Sequence, residues 1–155
     1  MTNKTSHDWN VSNRYRCGID PGVKTGLAVW DLSKKALVRV STENIILAQM
    51  AVVDLHESGG VEVWFEDARK RTWFGGRDAN QAKYGAGVRE GAGSIKRECG
   101  IWEEFCCAHG IKFKSVKPAS GATKWSAETF RRITGWEGRT SVHARDAAVL
   151  VFGGG

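Results

Sequence analysis

A chain of 155 residues can build one hydrophobic core of ordinary size and is too short for two. With 41% apolar and 26% charged residues, its composition excludes a disordered, fibrous or low-complexity protein. A surplus of 23 Lys and Arg over 17 Asp and Glu gives a net charge of +6, which suits a polyanionic partner but does not by itself identify one.

In chain order, residues 1–14 are polar and read as a flexible tail ahead of a single domain, 15–155. Tyr15 to Asp20 reads as a strand ended by the turn formers Pro21 and Gly22. Thr25 to Asp31 and Ala36 to Thr42 follow as strands, so the first three form an antiparallel meander. Ile45 to Glu57 has a helical pattern, with Ile46, Met50, Val53 and Leu55 expected on its buried side and Gly59-Gly60 as its stop. Val61 to Asp67 alternates as a strand, with Val61, Val63 and Phe65 on one face and Glu62, Trp64 and Glu66 on the other.

A loop over 69–77 combines basic and aromatic residues. Ala79 to His109 then carries a long helical pattern interrupted by Gly85, Gly87, Gly91 and Gly93. Those glycines weaken a helix but allow close approach of another, so this element, or its first half, is the expected contact with a partner subunit. Ile111 to Val116 is the fifth strand, Thr123 to Ile133 a helix, and Ser141 to Val151 a last helix. The fold class is therefore α/β, a five-stranded mixed sheet made of a three-stranded antiparallel meander plus two parallel strands, flanked by helices.

No uninterrupted apolar run approaches membrane-spanning length, so no membrane partner is expected. Cys17, Cys99, Cys106 and Cys107 have neither the CxxC spacing of zinc sites nor the density of a disulfide scaffold, and a reducing, cytoplasmic setting is expected. His56 and His109 lack ligand-type neighbours at helical spacing.

Ligand sites in such sheets lie beyond the carboxyl ends of the strands, where Asp20 and Glu66 both fall. His143 and Asp146, three apart, share one face of the last helix. Together they form a candidate metal set whose carboxylates suit Mg²⁺, with Mn²⁺ able to substitute, and an imidazole that Mn²⁺ tolerates better. Two such ions about 4 Å apart stabilise the attacking and leaving oxygens of a phosphodiester displacement. On that reading Asp20 bridges both ions, Glu66 and Asp146 hold one each, and His143 completes a shell or aids proton transfer. Each residue alone also has a plain reading: Asp20 as a turn former, Glu66 as an exposed carboxylate, His143 as a helix-face histidine, and Asp146 as a partner of Arg145 or Arg139.

The segments Gly18-Ile19-Asp20-Pro21-Gly22, Thr25-Gly26-Leu27-Ala28, Glu66 after an apolar strand, and His143-Ala144-Arg145-Asp146-Ala147-Ala148 together resemble the RuvC Holliday junction resolvases, especially compact phage-type members. The resemblance runs from about Tyr15 to Val151. It implies a ribonuclease H-like fold, a homodimer, paired nicks across a four-way DNA junction, and, for a phage-encoded member, the cytoplasm of a bacterial host. It maps an acidic tetrad onto Asp20, Glu66, His143 and Asp146, and catalytic or phosphate-binding lysines onto Lys117 and Lys124.

The resemblance also places a junction-probing loop over Arg69, Lys70, Arg71, Trp73, Phe74 and Arg77, where basic groups neutralise phosphates and an aromatic ring stacks on an unpaired base. A solvated loop with its aromatics tucked onto the core is the plain alternative. Lys112, Lys114, Lys117, Lys124, Arg131, Arg132, Arg139 and Arg145 are expected to contribute to a DNA channel. Other readings stay open: a ribonuclease H-like nuclease for flaps or RNA–DNA hybrids, an actin-like or sugar-kinase-like phosphotransferase fragment, or a DNA-binding module without catalysis.

Overall fold

The computed structural model describes residues 12–71, 86–119, 121 and 124–154, the stretch 86–92 by its backbone. Strands β1 (Tyr15–Asp20), β2 (Thr25–Asp31) and β3 (Ala36–Glu43) form the antiparallel meander. Helix α1 (Ile45–Gly59) leads to β4 (Val61–Glu66), which pairs parallel with β1, and α2 (Ala86–His109) leads to β5 (Lys112–Val116), parallel to β4. The sheet order is β3-β2-β1-β4-β5, the expected mixed sheet and an arrangement consistent with the ribonuclease H-like architecture. Helices α3 (Ala127–Thr134) and α4 (Val142–Val151) complete the fold.

Local signals set the element ends. Asn44, Ser126 and Ser141 each cap a helix through a side-chain oxygen that accepts a backbone N–H three residues on. Gly135 ends α3 at φ 72°, a left-handed position that glycine takes without steric cost. Buried Asp31 closes the β2–β3 hairpin, accepting from the backbone N–H groups of Ser33 and Lys34, from the Ser33 hydroxyl and from Arg14. These bonds hold its carboxyl far below the usual carboxylate range, the Ser33 hydroxyl contributing most.

Strand alternation divides the apolar residues between two layers. Cys17, Ile19, Leu27, Val29, Val61, Val63 and Phe65 pack with Ala48, Ala51 and Val52 of α1 and with Cys99, Trp102 and Cys106 of α2. Ala28, Trp30 and Val40 pack on the opposite face with Phe130 of α3 and with Ala144, Ala147, Ala148 and Val151 of α4.

The α4 face is closed by backbone contact. A Cβ on Gly18 would stand 2.0 Å from the carbonyl oxygen of Ala147, and one on Gly26 would stand 2.0 Å from that of His143. Two strand glycines thus let the helix backbone rest directly on the sheet and fix its position along it.

Several expectations need correction. Helix α1 packs through its small residues, leaving Ile46 and Met50 65% and 58% exposed. The chain is already in the fold at Arg14, whose backbone N–H donates to Gly59 and whose guanidinium pairs with Asp31. Residues 1–11 of the expected tail lie outside the described residues, as do 79–85 of the expected long helix. Helix α3 begins at Ala127, behind its Ser126 cap, instead of at Thr123.

Candidate active site

In the parallel β1–β4 pair Ile19 lies opposite Phe65, so the next residues, Asp20 and Glu66, end adjacent strands at the same level. Neighbouring strands run about 4.8 Å apart, and both carboxylates alternate onto the face that Gly18 and Trp64 share, beneath α4. Ser141 caps α4 and is tied to β3 by a 2.5 Å hydrogen bond with Thr42. With the His143 carbonyl seated over Gly26, which pairs with Asp20, the first turn of α4 delivers its side chains to the strand ends.

His143 Nδ1 lies 2.9 Å from Asp20 Oδ2, and Lys124 Nζ donates to Asp146 Oδ2 at 2.6 Å. These groups and Glu66 line one cavity of about 670 Å³, which Val23, Lys24, Arg71 and Lys96 also border. All four members of the acidic set therefore face a common space, and Lys124 joins them.

Burial dominates the electrostatics of the site. Burial raises the proton affinity of the Asp20 carboxyl, with a further push from Asp146, while the His143 hydrogen bond and Lys124 pull it back. Burial also raises that of Glu66, and the charges of Asp20 and Asp146 add to it. The Glu66 carboxylate has no hydrogen-bond or ion-pair partner among the described residues. Its hydrogen bond to Asp146 raises the Lys124 pKa and keeps the ammonium charged.

Three carboxylates with an imidazole are donors that a divalent cation accepts, and such an ion would offset the burial cost, and the lesser like-charge contribution, at Asp20 and Glu66. Among the described residues no three His, Cys, Asp or Glu side chains are gathered closely enough to enclose an ion, Asp20 being engaged by His143 and Asp146 by Lys124. The donor types fit a cation, and its binding would compete with those two hydrogen bonds.

The remaining site residues separate. Lys117 is exposed just past β5 and is not among the residues lining the cavity. In the 69–77 loop, Arg69 is committed to Asp67 (2.8 Å) and Glu103 (2.6 Å), and Lys70 donates to the Ser115 carbonyl, whereas Arg71 borders the cavity. Trp73, Phe74 and Arg77 lie outside the described residues.

Of the basic residues expected in a channel, Arg145 is instead a buried clamp. Its Nε donates to the Trp125 carbonyl and its Nη1 to both oxygens of Thr140, so it is spent on joining two loops. Lys114 lies 4.3 Å over the ring of Trp64, which Arg16 also approaches at 4.6 Å. Lys24 and Lys96 were absent from the sequence reading. Lys24 was accessible to it, because a turn formed by Pro21 and Gly22 keeps the residues that follow close to Asp20. Lys96 lies amid a helical pattern that gives no such signal.

No protein-family model matches the chain, and no curated protein sequence matches it. Among the described residues no helix is long and apolar enough to cross a membrane.

Proposed function

We propose that the chain is a divalent-cation-dependent endonuclease that hydrolyses phosphodiester bonds in branched DNA, four-way junctions foremost. The observation that carries this reading is the convergence of Asp20, Glu66, His143 and Asp146 on one cavity that Lys24, Arg71, Lys96 and Lys124 also border. Acids among cations are costly for simple phosphate binding, which needs only the cations, and are needed when a metal ion must meet a phosphate. The charge of +6 and the resemblance of the motifs around these residues to the RuvC resolvases support the same reading.

Asp20, Glu66 and Asp146 would hold Mg²⁺, or Mn²⁺ with His143 contributing. A pair of ions bound there would supply Lewis-acid stabilisation of the oxygens that enter and leave the phosphorus. The chain's own groups do the rest. Lys124, kept charged by Asp146, is a fixed cation at the edge of the site. His143, hydrogen-bonded to Asp20, is oriented with its ring at the cavity and can hold or pass a proton there. Lys24, Lys96 and Arg71 supply charge for phosphates on either side of the one attacked.

Two experiments test the reading. Asp146→Asn is expected to lower cleavage by about 100-fold or more while DNA affinity is kept; undiminished turnover counts against it. A panel of four-way junction, three-way junction, flap, linear duplex and RNA–DNA hybrid, each with Mg²⁺ and with Mn²⁺, tests the substrate class. Preference for the hybrid or the flap would keep the metal-dependent chemistry and reassign the substrate.

A further inference from the structure

A second cavity, of about 240 Å³, lies where the chain leaves α3 and folds back toward α4. Gly135 makes the reversal, and Trp136, Gly138, Arg139 and Thr140 then form a wall opposite Phe130 and Arg131 of α3. Among the described residues no acidic side chain lines it. Arg131 and Arg139 are both exposed, and among the described residues neither side chain is held in an ion pair, although Glu128 and Glu137 are close in sequence. Two arginines left together without a carboxylate repel one another, an arrangement that an anion relieves.

The cavity has a built wall. The indole N–H of Trp136 is buried with no acceptor among the described residues, and Gly138 covers it so closely that a Cβ there would stand 2.8 Å from the ring nitrogen. Thr140 is fixed from behind by buried Arg145, which donates to its carbonyl and hydroxyl oxygens at 2.9 and 3.0 Å. The next residue, Ser141, caps α4, and two further on His143 faces the acidic cavity. The two cavities therefore share one short, clamped segment.

We infer that this second cavity is a phosphate site, in which Arg131 and Arg139 grip one phosphodiester group of a nucleic-acid strand beside the indole of Trp136. The guanidinium fork matches phosphate oxygens in pairs, which a lysine cannot do. A strand anchored here is held by a segment continuous with the first turn of α4, so the grip sets its register at His143 and Asp146. The phosphate chemistry stands on the cavity itself; its assignment to a nucleic-acid strand rests on the nuclease reading.

The test uses the full chain in chelator, so that binding is measured without cleavage. Titration with inorganic phosphate, followed by the indole N–H resonances, is expected to move Trp136 more than the other tryptophans, and Arg139→Gln to abolish the shift. An Arg131→Gln/Arg139→Gln variant is expected to bind DNA more weakly, with its log–log salt slope reduced by about 1, the loss of one phosphate contact. Lys34→Gln, which removes an exposed charge from the β2–β3 turn outside both cavities, serves as the control, and unchanged melting temperatures show that each variant is folded.

An unchanged salt slope in the double variant overturns the proposal, as does an equal slope change in Lys34→Gln, which would mean a diffuse field. A Trp136 shift with phosphate but no effect on DNA binding overturns the nucleic-acid assignment and identifies free phosphate as the ligand. Failure of Asp146→Asn to reduce cleavage would bear on the nuclease reading and leave these binding results standing.

Discussion

His143 Nδ1 and Asp20 Oδ2 lie 2.9 Å apart although 123 residues separate them in sequence. The contact depends on glycine. The His143 carbonyl occupies the place where a Cβ of Gly26 would be, and the Ala147 carbonyl does the same over Gly18. Gly26→Ala must push the N-terminal end of α4 off the sheet, and is expected to cost about 1–3 kcal/mol or more and to lower cleavage. Gly93→Ala on α2, where the added methyl meets nothing within 4 Å among the described residues, is expected to stabilise by roughly 1 kcal/mol. Thermal denaturation of the two variants reads both signs.

Acid titration separates the structural carboxylate from the site's own. The Asp31 pKa is lowered in the folded state, so its contribution to stability is present above the unfolded carboxylate value, near 3.9, and is lost as pH falls through the folded value. Glu66 has its pKa raised, so ionised Glu66 opposes folding at neutral pH, and that opposition lifts as pH falls through the raised value. In chelator Glu66→Gln is therefore expected to raise the melting temperature at pH 7, whereas Asp31→Asn is expected to lower it and to flatten its decline below pH 4. Denaturation curves from pH 7 to pH 3 check both. A lower melting temperature for Glu66→Gln would contradict the burial cost and like-charge contact described at the site.

Arg69 and Arg71, two residues apart, are expected to fail differently. Removing the Arg69 side chain leaves the buried carboxylate of Asp67 without its main partner, a loss of about 1–3 kcal/mol. Arg71 borders the cavity and has no ion pair among the described residues, so Arg71→Ala is expected to leave stability unchanged and to weaken DNA binding. Paired melting and binding measurements separate the two.

Much of the site was legible in the sequence because it follows from two periods. Alternation along β1 and β4 puts Asp20 and Glu66 on one face at strand ends, and helical spacing puts His143 and Asp146 together. Turn and cap residues gave the element order, and with it the mixed sheet. Less was legible where a side chain's partner is remote in sequence. Arg145 reads as one more cation in a basic region, yet its acceptors are carbonyls of two loops, which no local pattern announces. Arg69 looked available for phosphate because Glu103, 34 residues on, cannot be placed beside it without the fold. In α1 the largest apolar residues were expected inside, but the helix lies close enough to the sheet that Ala48, Ala51 and Val52 fill the contact and Ile46 and Met50 remain outside.

The most direct measurement is incision of a synthetic four-way DNA junction by the native protein and by Asp20→Asn, with Mg²⁺ and in chelator. The account predicts paired, symmetric nicks by the native protein with Mg²⁺ only, and none by the variant although it still binds the junction. Incision by the native protein in chelator, or undiminished incision by Asp20→Asn, would contradict a cation-dependent site built on this carboxylate.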